Sequence, residues 1–228
     1  MSTPLKPGVR VRQKGALFYQ IDEQGRPLRF QPWLGDAFAC LYDFFMTRSV
    51  FPQKFNADIE RHTAILKEAL REAHGQQVLE LGTGSGSAAE FLPTDNSYTG
   101  SDISPGLLKQ AVKRFQEAGF MEAECYVASG NNLPFAKGSF GLALCLLSLN
   151  FIGNHQAVFE GVHALLRPGG TFLVSVPVPE RTLQGSAIHG DLVSEVRLHK
   201  LCQEAGFAFE PLDAENGALL YFRAVKPN

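Results

Sequence analysis

The chain has 228 residues, 45% of them apolar and 19% charged, with Lys plus Arg at 21 and Asp plus Glu at 23. This excludes a disordered chain and leaves room for one α/β domain with a full core and a modest extra segment. The net charge of −2 argues against a broad phosphate-binding face, and so against a nucleic-acid partner. Lys6, Arg10, Arg12 and Lys14 cluster, but around Val11 they read as the wet side of a strand. No apolar run approaches the ~20 residues of a membrane span. The polar, proline-bearing start has no signal-peptide core, so the cytoplasm is the expected location. Cys40, Cys125, Cys145 and Cys202 form no C-x-x-C pair, and no metal site is expected.

Taken in order, residues 8 to 31 read as β-structure. Val9, Val11 and Ala16 to Ile21 precede a turn at Glu23 to Arg26, and Leu28 to Phe30 follow it. Trp33 to Phe45 turns helical and aromatic, and Phe51-Pro52 breaks that pattern. Ala57 to Ala73 is an amphipathic helix with Ile59, Ile65, Leu66, Ala69 and Leu70 on one stripe. Strands and helices then alternate. Gln77 to Leu81 is a strand, Ser87 to Leu92 begins a helix, and Tyr98 to Ser101 is a strand. Ser104 caps a helix with Pro105 at its first position, and Gly119 stops it. Ala123 to Val127 and Gly141 to Leu147 are strands, Asn154 caps a helix to Leu166, and Thr171 to Val176 is a strand. Ser194 to Ala205 is a helix, and Phe207 to Leu212 and Ala218 to Val225 are two strands joined by a short polar link. Such alternation predicts a mainly parallel sheet covered on both faces, with an antiparallel hairpin at one edge.

In open α/β sheets ligands sit beyond the carboxyl ends of the strands. Val78-Leu-Glu-Leu-Gly-Thr-Gly-Ser-Gly86 takes a strand into a glycine turn that opens a helix, where glycines allow close backbone approach. Asp102 lies twenty residues after Gly82, at the end of the next strand, where an acid can accept from both ribose hydroxyls of a nucleoside. The pair indicates a ligand containing adenosine. It does not choose the ligand, since Gly84 to Ala89 also fits the loose dinucleotide fingerprint G-x-G-x-x-A.

Further residues resemble a known family. Glu80-Leu-Gly-Thr-Gly-Ser-Gly86 is similar to the first motif of class I S-adenosylmethionine-dependent methyltransferases, and Thr99 to Ser104 resembles their second-strand motif. Leu133-Pro134-Phe135 with Ser139-Phe140, Leu165 to Thr171, and Ala205-Gly206-Phe207 are similar to later elements, the first of them in the small-molecule branch. Tyr42-Asp43 resembles a pair near the start of quinone-biosynthesis-type (methyltransferase type 11) members. The resemblance implies a Rossmann-like, doubly wound, mostly parallel seven-stranded sheet with an antiparallel C-terminal edge hairpin. Residues 1–56 would form an N-terminal β-hairpin and aromatic helical lid, and residues 57–228 the cofactor-binding domain. S-adenosylmethionine is the implied cofactor and a small molecule the implied acceptor. Gly82, Thr83 and Gly84 would face its methionine part, with Glu80 bracing the loop. Asp102 would hold the ribose, Ile103 the adenine face, and Ser129, Gly130 and Asn131 the adenine edge. Leu146 would offer a backbone carbonyl to the amino group, and Tyr42 would lie on the lid. Ser129, Gly141 and Asn150 depart from the family's usual Asp, Asp and His.

A sulfonium methyl needs alignment and a dry site more than a base. Where the acceptor holds its proton, His155, His189 and Asp191 are the candidate bases, because they sit on loops or element ends. The aromatic set Trp33, Phe38, Tyr42, Phe44, Phe45, Phe51 and Phe55 reads as lid material or as the stripe that docks a helix. As a lid it implies an apolar or aromatic acceptor. The rival functions are a module that binds the cofactor without turnover, and an NAD-dependent oxidoreductase. The second lacks a hydride-transfer constellation. Base methylation is disfavoured because Leu147-Ser-Leu-Asn150 stands where an amine-holding D/N-P-P-aromatic motif would be.

Overall fold

The structure, a computed structural model, describes residues 3–30, 46–183 and 188–228. Two short strands, β1 (Val11–Lys14) and β2 (Leu17–Gln20), pair antiparallel at the start of the chain. The alternating region supplies β3 (Gln77–Leu81), β4 (Ser97–Asp102), β5 (Ala123–Val127), β6 (Phe140–Leu146) and β7 (Leu166–Pro177). The chain ends in β8 (Ala208–Pro211) and β9 (Leu219–Val225). All join one sheet in the order β1-β2-β5-β4-β3-β6-β7-β9-β8. The strands from β5 to β7 are parallel to their neighbours, while β9 runs antiparallel between β7 and β8.

Four helices start at side-chain caps. Asp58 accepts from the Arg61 N–H at the head of α1 (Ile59–Ala69), and Ser104 from Leu107 at α2 (Pro105–Glu117). Asn154 caps α3 (His155–Leu165), and Ser194 caps α4 (Glu195–Glu204). Successive residues of a strand point to opposite faces. Val78 therefore packs with Leu66 of α1 and Leu108 and Phe115 of α2, while Leu79 packs with Phe159 of α3 and Leu198 of α4. Burying side chains such as Leu66, Leu79 and Phe159 contributes roughly 1.5–3 kcal/mol each against leaving them exposed.

The sheet is wider than the expected seven strands because the N-terminal hairpin joins it. β2 lies parallel to β5, pairing Leu17 with Cys125 and Tyr19 with Val127. β5 would otherwise present a free edge. Phe18 stacks on Tyr126 at 4.8 Å, and the chain before the hairpin bridges Leu5 to Phe135. Residues 1–56 thus give two strands to the same sheet that residues 57–228 build.

Other expectations shift. The helix expected from Ser87 is a single 3₁₀ turn, Ser87–Glu90, because Pro93 disfavours helical backbone just before it. Met46–Lys54 stays helical through Pro52 by taking wide π-type turns. The strand expected over Leu28 to Phe30 reduces to the Ile21–Pro27 bridge and one bond from the Leu28 N–H to the Gln20 carbonyl, at 2.8 Å. The helix expected over Trp33 to Phe45 lies outside the described residues.

The register positions everything that follows. Leu81 pairs with Ser101 on one side and Cys145 on the other, and Asp102 pairs with Val127. Gly82, Asp102 and Leu146 therefore stand in one row at the carboxyl ends of three adjacent strands.

Gly86 is where the first turn meets α2. Its φ is +85°, and a Cβ there would lie 2.7 Å from Ala111 Cα. Gly86→Ala should cost at least ~2 kcal/mol, from left-handed strain plus overlap. Gly119→Ala, at φ +89° with nothing within 4 Å, should cost only the strain, about 1 kcal/mol. Urea unfolding of both variants measures this, and equal losses would refute the close approach.

Candidate functional site

β3 does not stop at Leu81. The N–H groups of Gly82 and Thr83 both donate to the Ser101 carbonyl, at 2.8 and 3.1 Å, so the glycine turn stays fastened to β4. Gly82 has φ +67°, and a Cβ on it would overlap the Ser148 side chain. Ser148 in turn donates through Oγ to the Leu81 carbonyl at 2.9 Å. Glycine is required there both by conformation and by space.

Asp102 ends β4 facing this turn. Its Oδ2 accepts from the Gly84 N–H at 2.9 Å and its Oδ1 from the Ser104 N–H at 2.8 Å. Two charge-assisted bonds fix the carboxylate relative to the loop. The fixed group lines a cleft of about 270 Å³ together with Gly82, Gly84 and Ile103. Ser129, Gly130 and Asn131 form another wall, and Leu146, Leu147 and Ser148 a third. A second cleft of about 160 Å³ shares Gly82, Gly84, Leu146 and Leu147 with the first, and adds Glu80, Thr83, Phe51 and His62. A larger depression, about 540 Å³, opens at the amino ends of the strands among Gln76, Arg167 and Arg223, and holds neither the glycine turn nor Asp102.

Leu147 lies between the two clefts with φ +56°, a left-handed conformation rare for leucine. Its N–H donates to the Ser175 carbonyl at 2.8 Å, which holds the backbone in that turn.

Under the loop sits a buried acid. Glu80 points to the α1/α2 face of the sheet and is 2% exposed. Tyr98 donates to its Oε2 and also meets Thr83 Oγ1 at 3.1 Å. Burial pushes the Glu80 carboxyl up to about 8, the Asp102 charge adds to the shift, and the Tyr98 hydroxyl opposes it. His62 is buried on the same face, and burial pushes its imidazole down to about 4.

The structure brings together Gly82, Gly84, Asp102, Ile103, Ser129, Gly130, Asn131 and Leu146 around the first cleft, and Glu80 and Thr83 at the second. Tyr42 lies outside the described residues. His155, His189 and Asp191 line neither cleft. His155 donates from Nε2 to the Leu149 carbonyl at 3.2 Å, its Nδ1 lies 3.9 Å from Asp191 Oδ2, and the His189 carbonyl accepts from Asn150 at 2.6 Å. These residues brace the segment after β6 and do not face the clefts. Sequence reasoning passed over Leu147, Ser148, Phe151 and His62, all of which line them. His62 could have been found, since it falls four residues before Leu66 and eight before Leu70 on the buried stripe of α1.

Residues 78–170 match the family described as a methyltransferase domain. That segment is similar to methyltransferase domains. It contains the glycine turn, Asp102 and the third wall of the first cleft. Among curated proteins, an uncharacterised methyltransferase of Synechocystis is 31% identical over 128 residues, 54% of this chain and 58% of that protein. The human thiol S-methyltransferase TMT1A is 29% identical over 137 residues, 58% of this chain and 55% of that protein. The chain thus spans just over half the length of these relatives. Among solved structures, the YcgJ protein of Bacillus subtilis superposes with a TM-score of 0.64 at 14% identity, covering 74% of this chain and 99% of that one. The sheet of the methyltransferase domain is therefore that of its structural neighbours. S-adenosylmethionine is the family's cofactor. Among the described residues no helix is long and apolar enough to cross a membrane.

The two buried titratable groups give the domain a pH signature. A glutamate raised to about 8 keeps its proton in the folded state over a range where the unfolded chain has lost it, so stability falls as pH rises through that range. A histidine lowered to about 4 acts oppositely, so the two offset each other between about 4.5 and 6.5. Above the ordinary histidine value Glu80 acts without that counterweight, with a slope of up to ~1.4 kcal/mol per pH unit. Glu80→Gln should remove this slope between about pH 6.5 and 8 in urea titrations. Parallel profiles for the variant and the parent would refute the buried neutral carboxyl.

Proposed function

We propose that the chain binds S-adenosylmethionine and transfers its methyl group by in-line displacement to a small apolar or aromatic acceptor. The observation that carries this reading is the Asp102 carboxylate, held by two backbone N–H groups in a cleft that Gly82 and Gly84 also line. The residues present fit the cofactor. At Gly82 a side chain would overlap Ser148, so the turn offers bare backbone to a ligand. Ile103 and Phe151 are 38% and 53% exposed beside Asp102, apolar surface that an adenine would cover.

On this reading Asp102 accepts from the ribose hydroxyls, Ile103 packs on the adenine, and Ser129, Gly130 and Asn131 meet its edge. The backbone of Gly82, Thr83 and Gly84 and the carbonyl of Leu146 face the methionine part, Glu80 supports the turn from below, and Tyr42 covers it. When bound, the cofactor supplies an electrophilic methyl on a sulfonium sulfur. The chain's own work is to align the acceptor with that methyl and to keep water out. The side chains that segments outside the strands add to the two clefts include Phe51, Phe91, Leu147 and Phe151. A wall of that kind selects its ligand by burial, which supports an apolar or aromatic acceptor. An acceptor that arrives already ionised, or as a soft nucleophile, asks no base of the protein.

Calorimetric titration should show binding of S-adenosylmethionine and S-adenosylhomocysteine and none of NADH. Asp102→Ala should weaken both sulfur ligands by roughly 2–3 kcal/mol, the cost of lost charge-assisted hydrogen bonds. Unchanged affinity in that variant would refute the ribose role, and binding of NADH alone would overturn the cofactor. Turnover with a panel of aromatic acceptors separates an enzyme from a module that only binds.

A further inference from the structure

A polar chain that the motifs do not explain ends at His62 in the second cleft. Asn216 sits before β9 and is 5% exposed. Its Oδ1 accepts from the Asp58 N–H at 2.8 Å, which fixes the orientation of the amide. Its Nδ2 then donates twice, to the Asp58 carbonyl at 2.9 Å and to the Tyr221 hydroxyl oxygen at 3.1 Å. Tyr221 is fully buried on β9, and its hydroxyl lies 2.8 Å from His62 Nδ1. That hydroxyl already accepts from Asn216, so its own proton goes to the acceptor in reach, Nδ1. A neutral imidazole that accepts at Nδ1 carries its hydrogen on Nε2. The chain from Asp58 to Tyr221 thus sets the tautomer of His62.

Nε2 has no partner among the described residues, and it is not one of the buried side-chain atoms cut off from solvent. His62 lines the cleft of about 160 Å³ that carries Thr83, Gly84 and Leu146, on the far side of the shared residues from Asp102. If Asp102 holds the ribose, the remainder of the cofactor extends past those shared residues into this cleft. That remainder is an amino acid carrying one cationic and one anionic group, and an N–H donor suits the anion only.

We propose that His62 is a cofactor-binding residue whose Nε2–H donates to the carboxylate of the methionine part of S-adenosylmethionine. The inference rests on the cofactor reading above. Burial keeps the imidazole neutral at ordinary pH, so it offers a hydrogen bond without setting a second positive charge beside the sulfonium. Fixing the tautomer in advance removes the cost of choosing it on binding.

The test compares S-adenosylhomocysteine with 5′-methylthioadenosine, which keeps the nucleoside and sulfur but lacks the amino-acid end. Calorimetry on His62→Phe should show the first ligand weakened roughly tenfold or more, as for a lost hydrogen bond to a charged group, and the second unchanged. His62→Gln, which keeps an N–H donor, should hold S-adenosylhomocysteine within about threefold of the parent. Tyr221→Phe, which frees the tautomer, should fall between them for S-adenosylhomocysteine and leave 5′-methylthioadenosine unchanged. Melting curves identify any variant that fails to fold, and the Gln and Tyr221 variants then carry the comparison. Equal loss of both ligands, or no loss of either, overturns the role of His62. Failure of the parent protein to bind either ligand overturns the cofactor reading, and this inference with it.

Discussion

The site depends on one constraint, the in-step pairing of β3 with its two neighbours. Leu81 is opposite Ser101 and Cys145 at once, so three strands end together. A slip of one residue would send Asp102 to the other face of the sheet and separate it from Gly84. The fit of hydrophobic side chains holds the register, because Val78 and Leu79 are each fully buried on opposite faces. Packing far from the cleft thereby sets the distance between a carboxylate and a backbone N–H to hydrogen-bond length. The bond from Gly84 to Asp102 then adds a tie between loop and strand that the ladder lacks.

The two faces of the sheet are unequal. The α3/α4 face is apolar where it meets β3, with Leu79 and Leu81 among aromatic and branched neighbours. The α1/α2 face carries the buried acid Glu80, bonded to Tyr98, and His62 and Tyr221 further across. Buried polar groups cost free energy unless paired. Here they pair with one another, Tyr98 with Glu80 and Thr83, and Asn216 with Tyr221 and Asp58. Both chains lead up to the residues of the second cleft. Both faces supply apolar packing, and the polar groups of the α1/α2 face also fix orientations.

What could be read in the sequence follows from how local each signal is. The turn from Glu80 to Gly86 is one continuous segment, and its glycines have to tolerate φ values that other residues resist. Asp102 was legible because a strand, a turn and the next strand fix its distance from Gly82. The buried strand β6 is legible as the unbroken apolar run from Leu142 to Leu146. The pairing of β2 with β5 was not legible, since it joins Leu17 to Cys125 with no pattern in either strand naming the other. His155, His189 and Asp191 lie on loops or element ends, but a loop that braces the backbone and one that faces a ligand have the same composition. His62 lies on a helix, and its significance depends on Asn216 and Tyr221, separated from it by more than 150 residues.

The parts of the molecule that were legible differ from the rest in the kind of group they use. On the proposed reading the adenosine side of the site is made largely from backbone and one carboxylate, and both are placed by strand ends that the sheet itself determines. The outer walls of both clefts come partly from segments outside the strands, such as the turns from Met46 to Lys54 and the stretch after β6. Those segments lie outside the strand ladders, so their side chains can change without disturbing the register of β3, β4 and β6. On that reading the sheet fixes the place of the reacting centre and leaves the choice of acceptor to residues such as Phe51, Leu147 and Phe151. On the proposed reading the nucleoside and the acceptor would be recognised by separate parts of the chain, the first by strand ends and the second by the segments between strands.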